Sequence, residues 1–242
     1  MQIAGQKVLL SSGGMDSALL ARRPELKGAV HVFVNIGQKY LSKEREAALI
    51  VAKNAGAVLH EVKTMQIAQF EHETGIIPFR NAEMILCAAQ YGTDIYLGVI
   101  ADEVNSDKSV EFCKAMEDVL NISHRPQYWT TGKQFRVLTP VREFTKSQLV
   151  AGYLEHGGSL RNLIETVSCY SPSKIHCGQC ASCFKRWVAL TNTLGDATSI
   201  ESYEVHPAKH RKLGYWRAKL KDYPPNRLAE VESAYRIARL DQ

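Results

Sequence analysis

A chain of 242 residues, 45% hydrophobic and 23% charged, carries enough apolar side chain for one substantial core, which excludes a disordered or fibrous protein. No run approaches the roughly 18 consecutive apolar residues of a spanning helix, and Gln6-Lys7 leads straight into an apolar strand without signal-peptide architecture, so a cytoplasmic protein with no membrane partner is expected. Thirty Lys and Arg against twenty-five Asp and Glu leave a net charge of +5, which suits an anionic partner, nucleotide or RNA, without choosing between them.

In chain order, Lys7-Val8-Leu9-Leu10 predicts a strand, Ser-Ser-Gly-Gly a tight turn, and the residues from Asp16 a helix. Val30 to Asn35 repeats the strand pattern, Ser42 to Asn54 is an amphipathic helix, and Gly56 to Val62 a further strand. A helix over Arg80–Tyr91, a strand over Asp94–Val99, a helix over Val110–Leu120 and a last strand over Arg136–Pro140 follow. Thr145 caps a helix that runs to Gly157, and a cysteine-rich segment then leads to a basic, aromatic tail from Tyr203. The alternation predicts an α/β fold, a doubly wound and mostly parallel sheet, with residues 1–165 as the nucleotide-binding domain and residues 166–242 as a helical metal-binding extension.

Ser12-Gly13-Gly14-Met15-Asp16-Ser17 falls where a strand hands over to a helix, so glycine N–H groups, serine hydroxyls and the positive helix end converge on one anion. The Gly-Lys-Ser/Thr ending of a Walker A loop is missing, which points away from ordinary NTPases. A bare Ser/Gly turn is the competing reading, and the full hexapeptide in its strand–helix setting argues against it. Ser12, Gly13, Gly14, Asp16 and Ser17 are therefore assigned to ATP phosphates, with Asp16 also placed to bind Mg²⁺.

Cys177, Cys180 and Cys183 stand at two-residue spacing, and Cys169 upstream supplies a fourth corner. A closed four-cysteine site for structural Zn²⁺ is expected; an iron–sulfur cluster is the rival. Cys87 and Cys113, isolated in apolar helix-like stretches, read as core thiols.

The hexapeptide resembles the signature of the PP-loop ATP pyrophosphatases, of the adenine nucleotide alpha hydrolase-like fold, which split ATP between the α- and β-phosphates and adenylate a substrate oxygen. Gly37-Gln38 with Glu44-Arg45-Glu46-Ala47-Ala48, Ile77-Pro78-Phe79-Arg80-Asn81, and Pro140 with Thr145-Lys146-Ser147-Gln148-Leu149-Val150 are similar to segments of one PP-loop family, the 7-cyano-7-deazaguanine (preQ0) synthases. Ser168-Cys169-Tyr170 with Cys177-Gly178, Cys180, Cys183 and Arg186 is similar to that family's zinc segment. The resemblance covers roughly Lys7 to Leu194. It implies a ligase that uses ATP and Mg²⁺ to convert 7-carboxy-7-deazaguanine and ammonia into the nitrile precursor of queuosine, as a homodimer.

On this reading Arg80 and Asn81 contact nucleotide or substrate, and Lys146, Lys185 and Arg186 offset phosphate charge. Asp16, Ser17, Lys146 and Arg186 form the expected catalytic set, with no side-chain nucleophile or general base required. The loop over 101–109 lacks the family's Gly-Tyr-Pro-Asp-Cys-Arg sequence, which leaves Asp102, Glu103 and Asp107 to accept hydrogen bonds from a guanine-like edge. The tail, with His206, Lys209, His210, Arg211, Lys212, Trp216, Arg217, Lys219 and Lys221 among Tyr215 and Tyr223, reads either as a docked helical extension or as an RNA-binding strip. Three alternatives stand beside the synthase: a PP-loop enzyme acting on tRNA, a relative coupling an adenylated deazapurine to a protein or nucleic acid, and an inactive binding module.

Overall fold

The computed structural model describes residues 5–73, 75–101, 106–195, 201–210, 218–219, 221–222 and 225–240. Five short strands form its sheet: β1 (Lys7–Leu10), β2 (Val30–Asn35), β3 (Leu59–Lys63), β4 (Asp94–Tyr96) and β5 (Arg136–Leu138). All neighbours pair in parallel, in the order β3-β2-β1-β4-β5. β1 and β2 are almost continuously apolar because a parallel strand is covered on both faces. β3 ends the sheet and alternates half-buried Leu59 and Val62 with exposed His60, Glu61 and Lys63, polar groups that discourage pairing with another chain.

The pleat sorts the strand residues between two cores. Leu9 and Tyr96 face one side with α1 (Met15–Ala21), α2 (Leu41–Asn54), α5 (Lys146–Glu155), α6 (Leu160–Ile164), α7 (Ala181–Leu194) and α8 (Pro225–Ile237). Val8, Leu10, Val32, Ile95 and Val137 face the other with α3 (Arg80–Ala88) and α4 (Val110–Ser123). The sheet is thus doubly wound, as the alternation predicts, and strand order reverses between β1 and β4, where such folds open a crevice at the carboxyl ends of the strands.

Local chemistry sets several element ends. α5 starts at a reciprocal capping box: Thr145 Oγ1 accepts from Gln148 N–H at 3.3 Å, and Gln148 Oε1 accepts from Thr145 N–H at 2.9 Å. β3 begins at Leu59 rather than Gly56, because Gly56 takes φ +65° and Ala57 N–H returns to Ala52 C=O at 2.9 Å to close the C-terminus of α2. β4 stops at Tyr96, since Val99 N–H turns back onto Leu97 C=O at 3.0 Å.

The chain beyond residue 165 shares the first core. Trp187 is fully buried in α7, and its ring meets Tyr235 of α8 edge-on at 5.7 Å. The described part of the tail therefore docks on its own chain. Arg211, Lys212, Tyr215, Trp216, Arg217 and Tyr223 lie outside the described residues, and so do Asp102 and Glu103. Among the described residues no helix is long and apolar enough to cross a membrane.

Candidate active site

One cavity opens at the strand-order reversal. Its walls include Ser12, Gly14, Asp16 and Ser17 after β1, Gly98 and Val99 after β4, and Lys146 from the first turn of α5. Gly13 has φ +71°, and a Cβ there would stand 2.6 Å from Ala48 N and 2.7 Å from Glu44 C=O. Only glycine lets the loop press on α2 in this way. Ser17 Oγ donates to Gly14 C=O at 2.9 Å, and Gly14 N–H reaches Ser12 Oγ at 3.4 Å, so both serines are held in place by the loop backbone. Opposite, a Cβ on Gly98 would lie 3.3 Å from Asp16 Cβ, a spacing that brings β4 close to the loop.

Lys146 Nζ is 3.0 Å from Asp16 Oδ2, with the lysine side chain 5% exposed. Capping by Thr145 directs the start of α5 at the loop, and the result is a fixed cation beside a carboxylate among prospective phosphate donors. The sequence-based grouping of Ser12, Gly14, Asp16, Ser17, Lys146, Arg80 and Asn81 is therefore brought to one cavity. Gly13 supports it from behind.

Arg186 departs from expectation. Its fully buried guanidinium donates to both oxygens of Glu201 at 2.7 and 2.9 Å, to Thr166 Oγ1 at 2.6 Å and to Leu163 C=O at 2.9 Å. Those acceptors consume its fork geometry, so Arg186 ties α7 to the segments on either side instead of facing phosphate. Lys185 is not in the cavity wall either. Asp107 gives its backbone carbonyl to Asn81 Nδ2 at 3.3 Å and stands beside Arg80, while its neighbour Lys108 lines the cavity.

A cluster in which sequence reasoning gave a role to Arg80 alone fills the other end. Gln38, Tyr40 and Glu44, from the start of α2 and the turn before it, face the cavity with Arg80 of α3 and Tyr170 of the cysteine segment. Gln38 Nε2 donates to Glu44 Oε2 at 2.8 Å, and the Tyr40 and Tyr170 ring centroids are 5.4 Å apart. Burial pushes the Glu44 carboxyl up to about 7, against the opposing pull of the Gln38 amide, Arg80 and Lys43. The available signal was that Gly37-Gln38, Glu44 and Tyr170 lie inside the segments that carry the family resemblance.

Four thiols meet behind the cavity. The sulfurs of Cys169, Cys177, Cys180 and Cys183 all lie within 4.8 Å of one another, and Cys177 and Cys183 are 3.9 Å apart. Tetrahedral Zn–S bonds of about 2.3 Å imply sulfur separations of about 3.8 Å, so the thiols fit that ion. Backbone N–H groups of Ser171 and Cys177 point at Cys169 Sγ at 3.3 Å, and Cys183 N–H points at Cys180 Sγ at 3.4 Å, donors that suit thiolates. Gly178, with φ +69°, has no room for a Cβ, which would fall 1.6 Å from Val205 C=O. Cys180 is also the N-cap of α7. The metal loop is stitched to the phosphate loop where Val167 N–H donates to Gly13 C=O at 2.9 Å.

The model of a known family, queuosine biosynthesis protein QueC, matches residues 69–194, from the segment before α3 to the end of α7. Curated 7-cyano-7-deazaguanine synthases are similar over most of the chain. That of Methanospirillum hungatei is 31% identical over 216 residues, 76% of this chain and 93% of the relative. Those of Nitratiruptor sp. and Chlorobaculum tepidum are each 28% identical, over 204 residues (73% and 89%) and 232 residues (83% and 97%).

Proposed function

The chain belongs to the queuosine biosynthesis protein QueC family, and from that premise we propose that it is an ATP-dependent ligase forming 7-cyano-7-deazaguanine from 7-carboxy-7-deazaguanine and ammonia. A substrate carboxylate oxygen attacks the α-phosphorus of ATP and pyrophosphate leaves. Ammonia then displaces AMP to give the amide, losing a proton. A second adenylation, on the amide oxygen, releases another pyrophosphate, and loss of AMP together with both protons of the amide nitrogen yields the nitrile.

Within that scheme the Ser12 and Ser17 hydroxyls and the N–H groups of the loop hold phosphate oxygens, and Lys146 carries positive charge to where pyrophosphate departs. Asp16 both orients Lys146 and offers a carboxylate oxygen to Mg²⁺, which when bound would neutralise phosphate charge. The four cysteines hold Zn²⁺ in a closed site that stiffens the loop behind Gly13. The observation that carries the reading is the meeting of the Asp16–Lys146 pair with the glycine loop in a cavity that also contains a heterocycle-sized aromatic and polar cluster.

The test is mass spectrometry of products after incubating purified protein with ATP, Mg²⁺, ammonium and 7-carboxy-7-deazaguanine. A nitrile that disappears in Asp16→Ala supports the synthase. Absence of adenylate, amide and nitrile with zinc-loaded wild-type protein overturns it.

A further inference from the structure

We propose that Glu44, oriented by Gln38 and flanked by Tyr40 and Tyr170, is the specificity residue that reads the N1–H and 2-amino edge of the deazaguanine. The proposal rests on the synthase reading and names the subsite that recognises the base.

The Gln38 amide is fixed from both ends. Its Oε1 accepts from Ile36 N–H at 3.1 Å, so its NH₂ is the end that meets Glu44, and Glu44 Oε2 is the acceptor at 2.8 Å. That bond holds the carboxyl in one orientation and leaves Oε1, and a second lone pair on Oε2, for a ligand. Two adjacent N–H donors on the edge of a guanine-type ring match a carboxylate in the same side-by-side manner that a guanidinium does. An adenine edge, with one donor beside an acceptor, does not.

The flanking groups fit a flat ring. Tyr40 is buried and Tyr170 is 41% exposed, so the pair presents an aromatic surface anchored on one side and open on the other. Arg80 and Lys108 add positive charge to the same cavity, which suits a substrate that carries its own carboxylate. Glu44 also shares a helix with Ala47 and Ala48, against which Gly13 is packed, so base subsite and phosphate loop are built on one rigid element.

The groups facing Glu44 are Gln38 and Tyr40 before α2, Lys43 on α2, Arg80 on α3 and, beside Arg80, Tyr170 of the cysteine segment. A ligand that donates two N–H bonds favours the ionised carboxyl. Binding therefore expels a proton whenever Glu44 is protonated, and affinity weakens as pH falls below about 7.

The experiment measures KM and kcat for 7-carboxy-7-deazaguanine and for its analogue lacking the 2-amino group, from pH 5.5 to 8.5, in wild type, Glu44→Gln and Tyr170→Ala. Loss of a charged hydrogen-bond pair predicts a rise in KM of about 10- to 100-fold in Glu44→Gln, with kcat changed far less. That variant should also lose both the acid weakening of KM and the preference for the 2-amino substrate. Tyr170→Ala should raise KM for the deazapurine and leave KM for ATP near the wild-type value; it carries the test if Glu44→Gln does not fold. Unchanged KM and discrimination in variants that still make nitrile would overturn the proposal and leave the synthase intact. A fall in kcat at constant KM would overturn it too, making Glu44 a proton acceptor. If wild type neither binds nor converts the deazapurine, the synthase reading itself fails.

Discussion

Lys146 Nζ and Asp16 Oδ2, separated by 130 positions of chain and 3.0 Å of space, form an ion pair across the mouth of the phosphate loop. Asp16 comes from the first turn of α1 and Lys146 from the first turn of α5, so the pair exists only when the sheet has brought both helices to its carboxyl edge. Removing the cation takes away the fixed positive charge that Asp16 holds beside the phosphate loop. Lys146→Met is expected to lower deazapurine-dependent ATP–pyrophosphate exchange by about 100-fold or more. The Asp16→Asn, Lys146→Met double variant should be no worse than the poorer single, because the two act as one unit. Additive losses in the exchange assay would disprove the coupling.

Gly13→Ala should be among the most damaging small substitutions. The added methyl meets backbone and Cβ atoms of α2 at 2.6–2.7 Å, none of which is the movable end of a side chain, and φ +71° disfavours any L residue. The strain is about 1–3 kcal/mol, visible as a lower urea midpoint, with ATP binding lost because the loop must lift from α2.

Zinc removal is expected to reach the nucleotide. Cys180 caps α7, and Val167 N–H, two residues from Cys169, holds Gly13 C=O. Chelation, or Cys180→Ser, should lower Tm and raise the dissociation constant for ATP together, while elemental analysis of native protein finds one zinc per chain. A fall in Tm with unchanged ATP affinity would show the link through Val167 to be slack.

The phosphate loop and the cysteine segment were legible because each packs its chemistry into a few consecutive residues, and Thr145 because its box closes within four. The base-side cluster was not. Of its members Arg80 alone was singled out; Gln38, Glu44 and Tyr170 join it from two other segments, and nothing local distinguishes a cavity-facing Glu44 from the exposed Glu46 two residues on. Arg186 was misread for the same reason: its counter-charge, Glu201, lies 15 residues away beyond the end of α7. The strands of the α/β alternation were readable because parallel strands are apolar runs, but their ends followed turns, at Gly56 and at Val99, that composition alone does not show.

Phe79 sits at the N-cap of α3 with φ +60° and 82% of its surface exposed. A left-handed conformation costs a non-glycine residue about 1–2 kcal/mol, and this ring recovers little through burial. Phe79→Gly is expected to stabilise the protein by about 0.5–1 kcal/mol after allowing for the greater freedom of unfolded glycine, measured by urea denaturation. If stability falls instead, the exposed ring is making a contact in solution, and sedimentation of the two proteins would reveal it as a change in oligomeric state.

Arg186 and Glu201 give the clearest pH signature. Burial by itself would raise the Glu201 carboxyl, but Arg186, with His176 behind it, holds it below its usual 4.5. A carboxyl depressed in the folded state adds stability that is complete above the unfolded value and is lost as pH falls through the folded one, so the contribution of this pair fades only below about pH 4.5. In Arg186→Met the buried carboxylate has lost its main partner, which should cost about 3–5 kcal/mol near neutrality. Its folded value then rises above the unfolded one, and protonation relieves the penalty. The variant's deficit relative to wild type should therefore shrink as pH drops from 7 towards 5, since groups that titrate alike in both proteins cancel in the difference. Arg186→Lys should recover only part of the loss, since one ammonium does not reproduce the fork that reaches Glu201, Thr166 and the Leu163 carbonyl at once. Parallel stability curves for wild type and Arg186→Met across that range would show that Glu201 is not the charge Arg186 compensates.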